Sequence, residues 1–217
     1  VVSARAGSKG IPNKNIKLLN GKPLILHSLK SLLKVKEIDR VVLSSDSEKI
    51  LNVAKKFSKK IQLIKRPKHL AVDKTPLTSV VKHTAIELAK NGYVADFVLQ
   101  IAPTCPFIKI NTLKHIVKLL KKGNECVVTL KKIEHEHPYR AKKLNEKNFK
   151  FKSFLRNINV EKFISRQDLP TLYCTSGAIY ARSFQLLKKF NEKDFNLGTR
   201  PLGVVVDDIE AVNIDRH

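Results

Sequence analysis

The chain has 217 residues, 42% of them hydrophobic, which is enough for one ordinary domain with a sizeable core. No apolar run approaches the roughly 20 residues of a membrane span, and no signal-peptide pattern is found. The three cysteines are scattered and do not form a disulfide framework, so we expect the protein in a reducing cytoplasm. The net charge of +23 raises nucleic acid, anionic membranes and anionic small substrates as partners, but lysines spread along the whole chain favour a solvated surface that helps to attract anionic substrates.

The most informative stretch of the chain is residues 1–23, VVSARAGSKGIPNKNIKLLNGKP. Residues 1–2 indicate a buried strand, so we expect a few further residues before them in the natural protein, and Pro23 suits the first position of a helix. A glycine-containing cationic loop between strand and helix lets backbone N–H groups and cations converge on a polyphosphate. Since the loop matches neither common glycine-rich phosphate motif, a basic surface turn is the alternative. The loop residues concerned are Arg5, Gly7, Ser8, Lys9, Gly10, Lys14 and Asn15.

Strands and helices alternate along the rest of the chain. Helical periodicity predicts helices over residues 23–37, 47–57, 76–90, 111–123 and 183–190, the third with Thr75 as N-cap and Pro76 as first residue. Short apolar runs predict strands over residues 40–46, 61–64, 95–101, 125–130, 176–183 and 203–206. Such alternation indicates parallel βαβ units in a three-layer α/β domain with a mostly parallel sheet. Ligands of such sheets bind at the carboxyl ends of the strands.

The regular alternation of predicted strands and helices is interrupted between about residues 133 and 173. The stretch NFKFKSF alternates apolar and basic residues, which predicts a strand pair projecting from the core. Phe149, Phe151 and Phe154 on its apolar face need a cover. A partner subunit is a natural one, and the chain's own domain is the alternative.

Two histidines in this segment, His135 and His137, alternate with Glu134 and Glu136. Their side chains could hold a metal ion. Because the sequence places no third ligand beside them, a solvated loop is the favoured interpretation.

Six blocks, in order, resemble the acylneuraminate cytidylyltransferases, the family of CMP-sialic acid synthetases. The first, RAGSKGIPNKN, is similar to the family's opening R-x-x-S-K-G-x-P-x-K-N. The others are KRPKHLAVD, APTCPF, EHPYR, RQDLP followed by SGAIY, and AVNID. The resemblance implies a Rossmann-like nucleotide-diphospho-sugar transferase fold, a single cytidylyltransferase domain over residues 1–217, and a homodimer whose dimerisation and sugar-side segment is inserted at about 133–173.

The resemblance also implies a reaction, in which CMP passes from CTP to the anomeric hydroxyl of a sialic-acid-like nonulosonic acid, pyrophosphate leaves, and Mg²⁺ assists. Such a step needs neutralised phosphate charge, an aligned nucleophile and a metal. By resemblance, Arg5, Lys9 and Lys14 are catalytic, and nucleotide binding involves Arg5, Ser8, Lys9, Asn15, Arg66 and Thr75. The alternatives are a solvated Lys14 and an Arg66 paired with Asp73.

The sugar-side residues implied by the resemblance are Gln100, Arg166, Ser176 and Tyr180. An arginine suits the sugar carboxylate, and in the family it can reach across a dimer; Tyr180 could instead be a core aromatic. The family has glutamine where Ala102 stands and asparagine where Ser176 stands. A legionaminic- or pseudaminic-type sugar is therefore as well supported as N-acetylneuraminate.

The metal ligands implied by the resemblance are Asn213 and Asp215, which would hold Mg²⁺. Magnesium prefers oxygen ligands and keeps waters, but Asn213 offers a carbonyl oxygen without charge. Asp207 and Asp208 could stand in, or could be turn residues. Two other functions stay open from the sequence: a polyanion- or nucleic-acid-binding protein, and a nucleotidyltransferase for another sugar.

Overall fold

A computed structural model describes residues 1–7 and 10–215 of the chain. It contains five α-helices, which alternate with the strands as predicted and whose bounds lie close to the predicted ones. None of these helices is long and apolar enough to span a lipid bilayer. They are α1 (Leu24–Leu33), α2 (Glu48–Phe57), α3 (Leu77–Lys90), α4 (Ile110–Lys121) and α5 (Phe184–Lys188).

The strands form one large sheet and two small ones. In chain order they are β1 (Val2–Ser3), β2 (Leu18–Leu19), β3 (Lys22–Pro23), β4 (Val41–Ser45), β5 (Ile61–Lys65), β6 (Phe97–Ile101), β7 (Cys126–Lys132), β8 (Lys142–Leu144), β9 (Phe151–Ser153), β10 (Tyr173–Ser183) and β11 (Leu202–Val205).

The seven-stranded central sheet has the order β11-β7-β10-β6-β1-β4-β5. Strand β10 runs antiparallel to both of its neighbours, whereas the other pairings in this sheet are parallel. Apolar side chains of α1, α2 and α4 pack in the main core on one face, and those of α3 and α5 pack in a second cluster on the other. The predicted three-layer α/β architecture with a mostly parallel sheet is therefore confirmed.

The two helices predicted to start at a proline begin one residue later. Pro23 and Pro76 have extended ψ angles of 133° and 135°, so the helical turns begin after them and both prolines occupy the N-cap position. Thr75 is consequently not the N-cap of α3. Its hydroxyl donates instead to the carbonyl oxygen of His69, at 3.3 Å. Helix α1 also does not follow the opening loop directly, because the β2–β3 hairpin intervenes.

The segment between β7 and β10 leaves the central sheet, as predicted. Its β8 and β9 strands pair only with each other in the described part of the chain. Phe149, Phe151 and Phe154 remain 76%, 67% and 63% exposed. The alternative that the chain's own domain covers these three rings is therefore wrong.

Candidate active site

Arg5 lies two residues after β1 and is held from three directions. Its carbonyl oxygen accepts a hydrogen bond from Asn15 Nδ2 at 3.0 Å, and the next backbone N–H, of Ala6, donates to Asp46 Oδ1 at 3.1 Å. Its guanidinium lies 2.6 Å from Asp73 Oδ1. The side chain keeps about a third of its surface exposed, so Arg5 is fixed at its base and reachable at its tip.

Arg66 is buried beside it, at the ends of β4 and β5. Its Nη2 donates to Ser44 O at 2.9 Å and its backbone N–H to Ser45 O at 2.8 Å. Burial lowers the pKa of Arg66, Asp46 opposes this, and the positive charge of Arg5 adds to the lowering. The two arginines thus interact electrostatically, and the ion pair observed for Asp73 involves Arg5 rather than Arg66.

Four buried side-chain atoms at this edge lack a hydrogen-bond partner among residues 1–7 and 10–215. Ser3 and Ser44 face each other in the parallel β1–β4 pairing, and Arg66 donates to the backbone of Ser44. Since buried polar atoms are normally satisfied, such a set is typical of a polar ligand site. The atoms are Ser3 Oγ, Asn15 Oδ1, Ser44 Oγ and Arg66 Nε.

The C-terminal segment lies against the same edge. Lys14 Nζ is 2.6 Å from Asp215 Oδ1, and the Ile214 N–H donates to Thr104 O in the loop after β6 at 2.9 Å. The Lys14 side chain is largely buried, so it is not a freely solvated lysine. The structure thus brings Asp215 to the loop that carries Arg5 and Lys14, although Asp215 lies 201 residues after Lys14 in the sequence.

The residues predicted to bind Mg²⁺ form an incomplete ligand set. Residues 1–7 and 10–215 contain no group of three or more histidine, cysteine or acidic side chains that could hold a metal. Magnesium is often bound through one or two carboxylates together with substrate phosphates. Asp215, with Asn213 exposed beside it, fits a site that a triphosphate completes, but not a cage made by protein alone.

Asp207 behaves as a turn residue. Its Oδ1 accepts from the Glu210 N–H at 2.9 Å, and its carboxylate pairs with Lys109. This hydrogen-bonded pairing with Lys109 holds the pKa of Asp207 below its ordinary value. Of the two interpretations of Asp207 given above, the structure favours the turn.

Gln100 and Tyr180 lie directly opposite each other in the β6–β10 pairing. Both line a cavity of about 660 Å³ on the α3 face, together with Thr78 and Phe195. Tyr180 also packs against a core cluster, so the core-aromatic interpretation and the cavity position hold together. Ser176 lies at the irregular part of the β10–β7 pairing, where its hydroxyl donates to Thr129 Oγ1 at 2.7 Å.

Arg166 lies elsewhere, in the projecting segment. It pairs with Glu134 and lines a separate cavity of about 390 Å³ with His137 and Pro170. Arg166 and the Gln100–Tyr180 pair thus line two different cavities. Ser8 and Lys9, two further predicted nucleotide-binding residues, lie outside the described residues.

The solvated-loop interpretation is wrong for His137, which is only 4% exposed. Its Nδ1 accepts from the Tyr139 N–H at 3.2 Å, so its Nε2–H donates to Pro170 O, at 3.0 Å. The imidazole therefore ties the beginning of the projecting segment to its end.

Two buried charged residues were not singled out from the sequence. Glu210 accepts from the Lys109 N–H at 2.7 Å and from Thr112 Oγ1 at 3.1 Å, so it caps the start of α4 and anchors the segment that carries Asp215. Arg182 lies in β10 and borders the larger cavity. An arginine inside the apolar run SGAIYARS was the only available signal for it.

A family model described as cytidylyltransferase matches residues 1–195. The chain belongs to the cytidylyltransferase family. It is 34% identical over 197 residues to a pseudaminic acid cytidylyltransferase of Campylobacter jejuni, covering 90% of this chain and 81% of that protein. It is 38% identical over 137 residues to a CMP-N,N'-diacetyllegionaminic acid synthase of Legionella pneumophila, covering 61% of this chain and 57% of that protein.

Solved structures support the fold of this cytidylyltransferase. A CMP-2-keto-3-deoxy-manno-octonic acid synthetase in complex with CTP superposes with a TM-score of 0.69 at 17% identity, covering 99% of this chain and 91% of that one. A 4-diphosphocytidyl-2C-methyl-D-erythritol synthase from Anaerococcus prevotii gives 0.60 at 16% identity, covering 99% and 90%. The Rossmann-like nucleotidyltransferase fold implied by the motifs is thus confirmed.

Proposed function

We propose that this cytidylyltransferase transfers CMP from CTP to the anomeric hydroxyl of a nonulosonic acid and releases pyrophosphate. The observation that carries the proposal is the convergence of Arg5, Lys14 and Arg66 at one edge of the sheet, beside buried polar atoms that lack a partner in the described part of the chain. The names of its relatives, which act on pseudaminic and legionaminic acids, support the sugar class.

The cations at this edge suit a triphosphate. The Arg5 fork can bind two phosphate oxygens, whereas Lys14 provides a mobile point charge. The Asn15 oxygen and the buried hydroxyls, which have no partner among residues 1–7 and 10–215, can pair with the nucleoside. We assign Ser8, Lys9 and Thr75 to the same nucleotide site. The sugar oxygen bonds to the α-phosphorus as the bond to pyrophosphate breaks and the hydroxyl proton is released. Fixed positive charge stabilises the negative charge that develops on the phosphates.

Mg²⁺, when bound, would supply Lewis-acid stabilisation of the leaving pyrophosphate. Asp215 and Asn213 are the residues that would hold it, with the phosphates. Lys14 neutralises Asp215 in the structure. A cation taking over Asp215 would release Lys14 to contact the nucleotide, so the two charges exchange partners on binding.

The sugar would lie against Gln100, Ser176 and Tyr180. We further propose a cytoplasmic homodimer, in which the exposed rings of the projecting segment cover each other and Arg166 reaches the sugar carboxylate of the partner's site. Two features support this: the exposure of Phe149 and its neighbours and the separate position of Arg166. The product would serve the synthesis of cell-surface glycans.

A substrate panel tests the proposed activity. Pyrophosphate release is measured with each of four nucleoside triphosphates and with N-acetylneuraminic, N,N'-diacetyllegionaminic, pseudaminic and 2-keto-3-deoxy-octonic acids. We expect release that requires CTP and at least one of the three nine-carbon acids. Failure with every nine-carbon acid, in a protein that CTP stabilises against heat, would contradict the proposal, and release with the octonic acid alone would assign another sugar.

A further inference from the structure

Arg182 is one of the largest fully buried side chains of the protein, with 2% of its surface exposed. In the described part of the chain its hydrogen bonds go to uncharged oxygens: Asn196 O at 2.7 Å, Phe195 O at 2.8 Å and Gln100 Oε1 at 3.3 Å. Burial lowers the pKa of Arg182. A buried charge without a carboxylate is costly, which suggests a role beyond packing.

This arginine determines how Gln100 is oriented. An arginine side chain has five N–H donors and no acceptor, so only the amide oxygen of Gln100 can face it. The same oxygen also accepts from Thr78 Oγ1 at 3.5 Å. The amide –NH₂ is therefore turned the other way, and the two-fold ambiguity of a glutamine amide is removed here by chemistry.

The amide nitrogen of Gln100 has no acceptor in the described part of the chain. It donates none of the hydrogen bonds found among residues 1–7 and 10–215, although Gln100 is only 7% exposed and borders the 660 Å³ cavity. This nitrogen is not among the fully buried atoms that lack a partner, so the donor is accessible from the cavity. Contact of its oxygen with a cation also polarises the amide and strengthens that donor.

Arg182 contacts two further walls of the cavity. Its guanidinium carbon lies 5.2 Å from the centre of the Tyr180 ring, within the range of a cation–π contact. Its bonds to the carbonyls of Phe195 and Asn196 hold the loop after α5 against the sheet. One side chain thus connects Gln100, Tyr180 and this loop.

We propose that Arg182 is a positioning residue that fixes Gln100 as a hydrogen-bond donor to this cavity, so that the site selects ligands presenting an acceptor oxygen there. The inference rests on the proposed function, in which the cavity takes the sugar. It adds the direction of the hydrogen bond and the residue that imposes it.

The test is Gln100→Glu, assayed with the nine-carbon acid that the wild type uses best. The carboxylate can still accept from Arg182 and Thr78, so the fold is kept, but it presents an acceptor to the cavity. We expect KM for the sugar to rise about tenfold or more, the equivalent of one lost hydrogen bond, while KM for CTP changes less than about twofold. Gln62→Glu on the edge strand β5, the same change away from the cavity, is the matched control and should leave both constants unchanged.

Arg182 itself is tested with Arg182→Lys and Arg182→Leu. In Arg182→Leu the Gln100 amide is free to turn, so we expect the same rise in KM for the sugar. In Arg182→Lys the side chain is still a donor-only group, so the rise in KM should be smaller. Should the arginine variants not fold, Gln100→Glu still decides. An unchanged KM for the sugar in Gln100→Glu overturns the inference alone, whereas absent turnover by the wild type contradicts the proposed function and this inference with it.

Discussion

The nucleotide side and the sugar side of the proposed site are built differently. On the nucleotide side the cations already have anionic partners, Arg5 with Asp73 and Lys14 with Asp215. On the sugar side, Gln100 meets Tyr180 across two antiparallel strands, and Arg166 lies in a projecting segment with its own cavity. The first side is therefore preorganised within one chain, whereas the second depends on distant residues and, in our proposal, on a second subunit.

The largest effect is expected on the nucleotide side. Arg5→Ala should lower kcat/KM for CTP by about a hundredfold or more, since charge stabilisation by a fixed donor is worth that much in other sites. Its ion pair with Asp73 is partly exposed, so stability should change little. Steady-state kinetics and thermal melting check both statements. Lys55→Ala, which removes an exposed cation from α2, is the control, and an Arg5→Ala enzyme of wild-type kcat/KM would refute the phosphate role.

The second prediction separates the two sides into different subunits. Arg5→Ala and Arg166→Ala should each be inactive alone. When they are mixed and allowed to exchange subunits, about a quarter of wild-type activity should return, because about half of the dimers are then mixed and each has one intact site.

If Arg166 acts on the site of its own chain, the mixture stays inactive. Phe151→Lys, which places a charge among the exposed rings, provides an independent measurement. It should shift the mass measured by light scattering from dimer to monomer and remove turnover, while CTP still stabilises the protein. A dimer that persists in this variant would count against the projecting segment as the interface.

A smaller effect, about tenfold, is expected at the metal ligands, because Asp215 would share Mg²⁺ with substrate phosphates and waters. Asp215→Asn should raise the Mg²⁺ concentration needed for half-maximal rate, and added Mg²⁺ should recover much of the activity. Asp208→Asn, a neighbouring exposed carboxylate, is the comparison. Identical Mg²⁺ dependence in Asp215→Asn and wild type would remove Asp215 from the metal site.

The smallest expected effect is a difference in alkylation rate between two cysteines, Cys105 and Cys174. Cys105, in the loop after β6, is buried, and burial raises the pKa of its thiol to about 11. Thiol groups react as thiolates, so Cys105 should resist alkylation at neutral pH. Cys174, half-buried at the start of β10, should react first, as peptide mass mapping can show. Early modification of Cys105 would mean that the loop opens.

The sequence predicted the nucleotide side better than the sugar side, for a physical reason. Arg5, Lys14 and Asn15 lie within one loop after one strand, so spacing and the family motif place them together. Arg182 acts on Gln100 through the register of two strands far apart in sequence, which no local pattern shows. The burial of His137 was missed because its partner, Pro170, lies at the other end of the segment. The net charge alone is also compatible with a polyanion-binding protein. The ordered family motifs are what favour an enzyme over that alternative.

The most direct test of CMP transfer uses a nonulosonic acid carrying heavy oxygen in its anomeric hydroxyl. The enzyme is incubated with this sugar, CTP and Mg²⁺, and the masses of the products are measured by mass spectrometry. If the sugar oxygen attacks the α-phosphorus, the label appears in the CMP-sugar and pyrophosphate stays unlabelled. Unlabelled CMP-sugar, or free CMP formed without any CMP-sugar, would contradict the proposed reaction.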